Sequence, residues 1–94
     1  MTVNQMLSLN WLDLQATTKS TGWKANYYHT QMFRKLWGHL AAESITRQDI
    51  EKWVLERKKV RANNTVKHEL SLLRRAFNLA YREDFLAVNP MAKA

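Results

Sequence analysis

Apolar residues recur along this chain at helical spacings, and they fall into four blocks. The first runs from about Asn4 to Thr17, with Met6 or Leu7, then Leu9, Trp11, Leu12 and Leu14. Its period is not clean, so it predicts a helix without fixing which side is buried. Thr17-Thr18-Lys19-Ser20-Thr21-Gly22 follows, a polar cluster closed by glycine, and reads as a loop. The second block spans about Gly22 to Leu40. Ala25, Met32, Phe33, Leu36, Trp37 and Leu40 share one side, while Lys24, Tyr27, Gln31, Arg34 and Lys35 fall away from it. Trp23 and Tyr28 sit near the edges of that stripe, and Trp23 is the tryptophan expected at the surface.

The third block opens on a start signal. Thr46 is a good N-cap with Asp49 three residues on, a capping box with Asp in place of Glu. Ile45 and Ile50 are placed to staple it. Ile50, Trp53 and Val54 continue the apolar side. Arg57, Lys58 and Lys59 suit the negative end of the helix dipole. After a connection over 60–64, the fourth helix starts at Ala62 or Asn63 and runs to about Arg82. Val66, Leu70, Leu73, Phe77 and Ala80 form its inner stripe, widened by Leu72 and Ala76. Asp84 tolerates the left-handed backbone that ends a helix. Phe85, Leu86 and Val88 predict a tail folded back on the core, ended by Asn89-Pro90.

Two glycines and one proline are too few for the turns of a sheet protein, and 94 residues suffice for one domain. The fold class expected is all-α, four to five helices packed around Trp11, Met32, Leu36, Trp37, Ile50, Trp53, Leu70, Leu73 and Phe77. Cysteine is absent, so neither disulfides nor thiolate metal sites are available. No apolar run approaches the ~18 residues of a membrane span. The first residues carry no basic leader and are broken by Asn4, Gln5, Asn10 and Asp13. A cytoplasmic protein is the expectation.

Candidate chemistry is sparse. His29, His39 and His68 are scattered and match no metal-ligand spacing. Asp49 is engaged at a helix start, and Glu83-Asp84 lies at a helix end. Glu69 falls near the apolar side of the fourth helix, where a boundary ion pair to the first or second helix is expected. Trp11, Trp37 and Trp53 lie in apolar stripes and read as core. No catalytic residue, cofactor, metal or small-molecule substrate is expected.

Charge changes this picture. The net charge is +7, and residues 47–94 hold +5 of it. Arg57, Lys58, Lys59 and Arg61 crowd the end of the third helix. Lys67, Ser71, Arg74, Asn78 and Arg82 line the outer side of the fourth, spaced 4-3-4-4. Arg75 diverges from Arg74, toward a flanking phosphate or a carboxylate. Asn63, Asn64 and Thr65 stand at the helix start, where free N–H groups favour a phosphate, and His68 adjoins the same side. Lys24, Gln31, Arg34 and Lys35 are expected to assist from the second helix. Cations mixed with amides and hydroxyls suit phosphates and base edges, and a helix fits the major groove of B-DNA. Double-stranded DNA is therefore the expected partner. RNA is disfavoured because no exposed aromatic platform is evident in the sequence. A basic helical protein-interaction or transcription-regulator module is the alternative, and it predicts an exposed apolar patch.

The same residues carry a family likeness. The run Asn64-Thr65-Val66-Lys67-His68-Glu69-Leu70-Ser71-Leu72-Leu73-Arg74-Arg75-Ala76-Phe77-Asn78-Leu79-Ala80 is similar to T-[IV]-N-R-E-L-x-x-L-R-R-x-F-N-x-A of the core-binding domain of tyrosine recombinases, the phage-integrase type. Trp37-Gly38, then Ile45-Thr46 and Asp49-Ile50, resemble that family's F-G followed by L-x-x-I-T-x-x-D-I. Asn89-Pro90 resembles its closing N-P. Lys67-His68 stands where Asn-Arg is common, Ala41 for a frequent proline and Asp84 for a frequent glycine. The likeness covers about residues 7 to 90 and is poor over the first twenty. It implies a SAM-like orthogonal bundle over 1–90, with 91–94 opening a linker to a separate catalytic domain. It also implies a role in DNA recombination and integration, as a DNA-binding module in a prokaryotic or phage-encoded protein. The partners implied are the duplex at the crossover site, the catalytic domain of the same parent chain and other recombinase protomers. The tyrosine nucleophile would belong to that other domain, so Tyr27, Tyr28 and Tyr81 are not read as nucleophiles.

Overall fold

A computed structural model describes residues 1–17 and 23–92, without the side chain of Trp23. The described residues form four α-helices, α1 (Val3–Thr17), α2 (Trp23–Trp37), α3 (Arg47–Lys58) and α4 (Asn63–Arg82), with a 3₁₀ turn over Ala42–Ser44. The loop expected over 17–22 and the exposure expected of Trp23 lie outside the described residues, apart from Thr17, which ends α1.

Local signals set the helix ends. Thr2 caps α1 through a second capping box: its hydroxyl accepts from Gln5 N–H at 3.2 Å, and the Gln5 side chain accepts from Thr2 N–H at 2.8 Å. At α3 the expected box is present, with Asp49 N–H to Thr46 Oγ1 at 3.1 Å and Thr46 N–H to Asp49 Oδ2 at 2.9 Å. Hydrogen bonding of its carboxylate to Thr46, the backbone N–H first and the side chain second, holds Asp49 below its ordinary pKa. α4 starts at Asn63 after Ala62, with no side-chain cap. It ends where Asp84 takes φ 63°. Phe85 N–H returns to the Ala80 carbonyl at 2.9 Å and Asp84 N–H to that of Tyr81 at 3.1 Å, a Schellman pair.

α2 stops at Trp37, short of the expected Leu40, because Gly38 turns the chain there to receive α1. Asn4 N–H donates to the Gly38 carbonyl at 3.0 Å and Val3 N–H to that of Leu40 at 2.9 Å. A Cβ on Gly38 would overlap the Arg34 carbonyl oxygen and the Asn4 carboxamide. Only glycine allows this approach.

The core lies among all four helices. α4 contributes Val66, Leu72, Leu73, Ala76, Phe77, Leu79 and Ala80, and α1 contributes Val3, Met6, Leu7 and Leu14. Each fully buried large side chain stabilises by about 1.5–3 kcal/mol. Phe33 packs with Trp37 and Trp53 at ring separations of 6.0 and 5.1 Å. Ile45 and Ile50 are both buried in this core.

Several core expectations need correction. Leu36 is 40% exposed, because α2 turns Phe33 rather than Leu36 to the centre. Met32, Trp37, Trp53 and Leu70 are half-buried and pack against the core from its margin, whereas Trp11 is half-buried against Tyr27 instead. Of the three expected tail residues, Leu86 is buried in the core while Phe85 and Val88 stay exposed, and Met91 packs against the core from outside. The Schellman turn reverses the chain and brings Leu86 back onto the core. Asn89 then anchors the tail, donating from Nδ2 to Asn78 Oδ1 at 2.6 Å.

Candidate nucleic-acid interface

α4 packs against the other three helices, and its inner stripe fixes its outer face. At 100° per residue, Lys67, Ser71, Arg74, Asn78 and Arg82 fall within roughly 80° of arc, opposite the buried stripe. All five are exposed. They form a ridge with a groove on either side. Lys58 and Val54 of α3 line one groove with Asn63, Lys67, Leu70 and Arg74. Asp13 of α1 lines the other with Ser71, Arg74, Arg75 and Asn78. Glu69 is the one carboxylate within α4, and it is buried on the inner side, so the ridge carries no negative charge.

The candidate residues divide by what already holds them. Lys67, His68, Arg74, Asn63 and Asn64 are exposed and make no side-chain hydrogen bond or ion pair among the described residues. Thr65 is half-buried and lines a groove with His29 and His68. Ser71 donates its hydroxyl to the Lys67 carbonyl at 2.9 Å, and Arg61 donates to that of Val60 at 3.0 Å. Asn78 is tied to Asn89. Arg82 keeps a loose pair with Glu83 at 3.6 Å.

Arg75 takes the carboxylate of its two expected alternatives. It donates to Asp13 Oδ2 at 2.8 Å and to Asn10 Oδ1 at 2.7 Å, joining α4 to α1. Asn10 is completely buried, and its amide nitrogen has no partner among the described residues. Arg34 likewise reaches α1, donating to Ser8 Oγ at 2.9 Å. Both guanidinium groups are thus engaged within the fold.

The second helix is oriented differently from α4. Ala25, Asn26 and His29 line its groove with α4. Lys24, Gln31 and Lys35 lie on the opposite side of α2. The ridge and these three residues therefore do not share a groove.

Glu69 finds its partner on the third helix, where the first or second was expected. Arg57 Nε and Nη2 donate to its two oxygens at 2.9 and 2.8 Å. This bond raises the pKa of Arg57 and removes it from the basic run. α3 and α4 are joined by a short link, so a buried carboxylate on α4 meets the end of α3 first. His29 lies nearby. Burial lowers its pKa, opposed by the charge of Glu69 and aided by those of His68 and Arg57.

Sequence reasoning also missed an aromatic cluster. Trp11 and Tyr27 meet edge to face at 5.9 Å, and so do Tyr27 and Tyr28. Tyr27 is 43% exposed and Tyr28 69%. The adjacent tyrosines were the available signal. No group of three or more His, Asp or Glu side chains suited to a metal occurs among the described residues. No described helix is long and apolar enough to cross a membrane. No family model matches the chain, and no curated protein or solved structure matches it either.

Proposed function

We propose that this chain is a non-catalytic module that grips duplex DNA with the outer ridge of α4, as the SAM-like core-binding domain of a tyrosine recombinase. One observation carries the reading. The exposed face of α4 presents Lys67 and Arg74 without carboxylates, and neither cation has a partner among the described residues. Elsewhere Arg57, Arg75 and Arg34 are engaged inside the fold. Lys67 and Arg74 therefore stand unengaged where a helix would enter a major groove. Asn63 and Asn64 extend the ridge at the end where uncapped N–H groups favour a phosphate. The recombinase part rests on the resemblance of residues 64–80 and expects a catalytic domain in the same parent chain.

Affinity of the single module should be micromolar or weaker at physiological salt, since non-specific binding lies around 10⁻⁴–10⁻⁶ M, and it should fall steeply with salt. Titration of a labelled duplex with the Lys67→Ala/Arg74→Ala variant tests the reading. The expected result is a loss of tenfold or more at low salt with folding unchanged. Lys67→Ala alone should reduce the salt slope by about one. A double variant that binds duplex as well as the parent chain refutes the placement. Covalent attachment of the chain to DNA contradicts the non-catalytic part.

A further inference from the structure

The outer side of α2 presents a different surface. Tyr27, Gln31, Lys24, Lys35 and Tyr28 fall within roughly 100° of arc on it. Trp11 of α1 stands against Tyr27, so three rings brace one another edge to face. Tyr28, at the end of this series, leaves most of its ring in water. α2 contains no acidic residue, and Asp13, the carboxylate within α1, is held by Arg75. Among the described residues, aromatic faces and the Lys35 charge thus share this side without a carboxylate between them.

That combination selects a partner. Exposed rings offer stacking area at little entropic cost when neighbours hold them in place. A ligand that uses both rings and cations must carry open π-faces on an anionic backbone. A duplex does not qualify, because its bases are stacked on one another. A protein partner would have to supply an acidic group for Lys35 as well as apolar area. An unpaired strand supplies phosphates and bases in alternation.

We propose that this face is a stacking platform for an unpaired DNA strand. Tyr28 is the principal base contact, Tyr27 and Trp11 fix its position, and Lys35 meets a phosphate. The platform lies on the side of α2 turned away from the groove with α4, so it is distinct from the α4 ridge. The choice of DNA over RNA rests on the duplex reading of α4, and the stacking itself does not.

Fluorescence anisotropy with a labelled thymidine strand of about 12 nucleotides, near the upper range of small single-strand sites, tests the proposal on the whole chain. Tyr28→Ala should weaken binding about fivefold or more, given ~1–3 kcal/mol per stacked base. Tyr28→Phe keeps the ring and should stay within about twofold of the parent. An abasic strand of equal length should bind the parent chain as weakly as thymidine binds Tyr28→Ala. Lys67→Ala/Arg74→Ala should reduce duplex binding and leave strand binding nearly unchanged. If duplex binding ignores the α4 variants while strand binding follows Tyr28, the duplex reading fails and the platform stands. Equal affinity for abasic and thymidine strands overturns the platform, as does strand binding that ignores Tyr28→Ala. A uridine strand bound more tightly than thymidine overturns the choice of DNA. Self-association abolished by Tyr28→Ala, with no strand bound, makes the face a protein contact and overturns the proposal.

Discussion

Glu69 stands on the inner side of α4 with 4% of its side chain exposed, and Arg57 holds both of its oxygens. Removing one member strands the other in a dry site, which costs about 3–5 kcal/mol for a fully buried pair. Arg57 keeps 23% exposure, so Glu69→Ala should cost toward the lower end, ~3 kcal/mol. Arg57→Ala should cost more, because it leaves the more deeply buried charge alone. Replacing both by apolar residues should cost less than either, by urea denaturation. Additive losses would mean that the two do not act as a pair. Asp84 is the second residue whose chemistry is exposed to test. It holds φ 63°, a conformation that costs a side-chain-bearing residue about 1–2 kcal/mol. Asp84→Gly should stabilise the fold by ~0.5–1 kcal/mol after the extra chain entropy of glycine. A destabilised glycine variant would show that the Asp84 side chain supports the turn.

Among the elements, α3 and α4 were legible in extent and in face, whereas α1 was legible in extent but not in which side it buries. Caps are local, so Thr46 with Asp49 and the turn at Asp84 can be read from adjacent residues. The stripe of α4 has a clean period from Val66 to Ala80. α1 buries Val3, Met6, Leu7, Asn10 and Leu14, and the polar Asn10 interrupts the apolar pattern. Its reason is Arg75, which lies 65 residues away. The box of Thr2 and Gln5 was readable by the rule that found Thr46. α2 was read correctly as amphipathic, but its end depends on how closely α1 approaches Gly38. The junction of α2 with α4 also predicts a pH response. Burial holds His29 below the ordinary imidazole value, so the unfolded chain binds more protons than the folded one in the interval between. Stability from this source is present above pH ~6.5 and is lost as pH falls through the lower folded value. Asp49 and Glu43, both depressed carboxylates, act only at more acid pH. NMR titration should place the His29 imidazole below the ordinary value, and His29→Gln should flatten the change in urea midpoint between pH 7.5 and 5.5. An imidazole that titrates at or above the ordinary value contradicts the burial.

For the whole molecule, the decisive quantity is how +7 is distributed over a body of 34 × 32 × 26 Å. The sequence shows the charge and the helix faces. It does not show which cations the fold consumes, because Arg34, Arg57 and Arg75 are engaged by residues far along the chain or on another helix. Their withdrawal leaves Lys67 and Arg74 on the ridge of α4. It also leaves Lys35 on the side of α2 that carries an aromatic cluster, which depends on α1 and α2 lying together. A duplex that meets the ridge will perturb one face only. The most direct measurement is an amide NMR titration of the chain with duplex DNA at low salt. The account predicts shifts concentrated at Asn63, Asn64, Lys67, Ser71, Arg74 and Lys58, reversed by added salt, with 38–42 and the start of α1 unmoved. Shifts confined to α1 and α2, or no shifts at low salt, would contradict it.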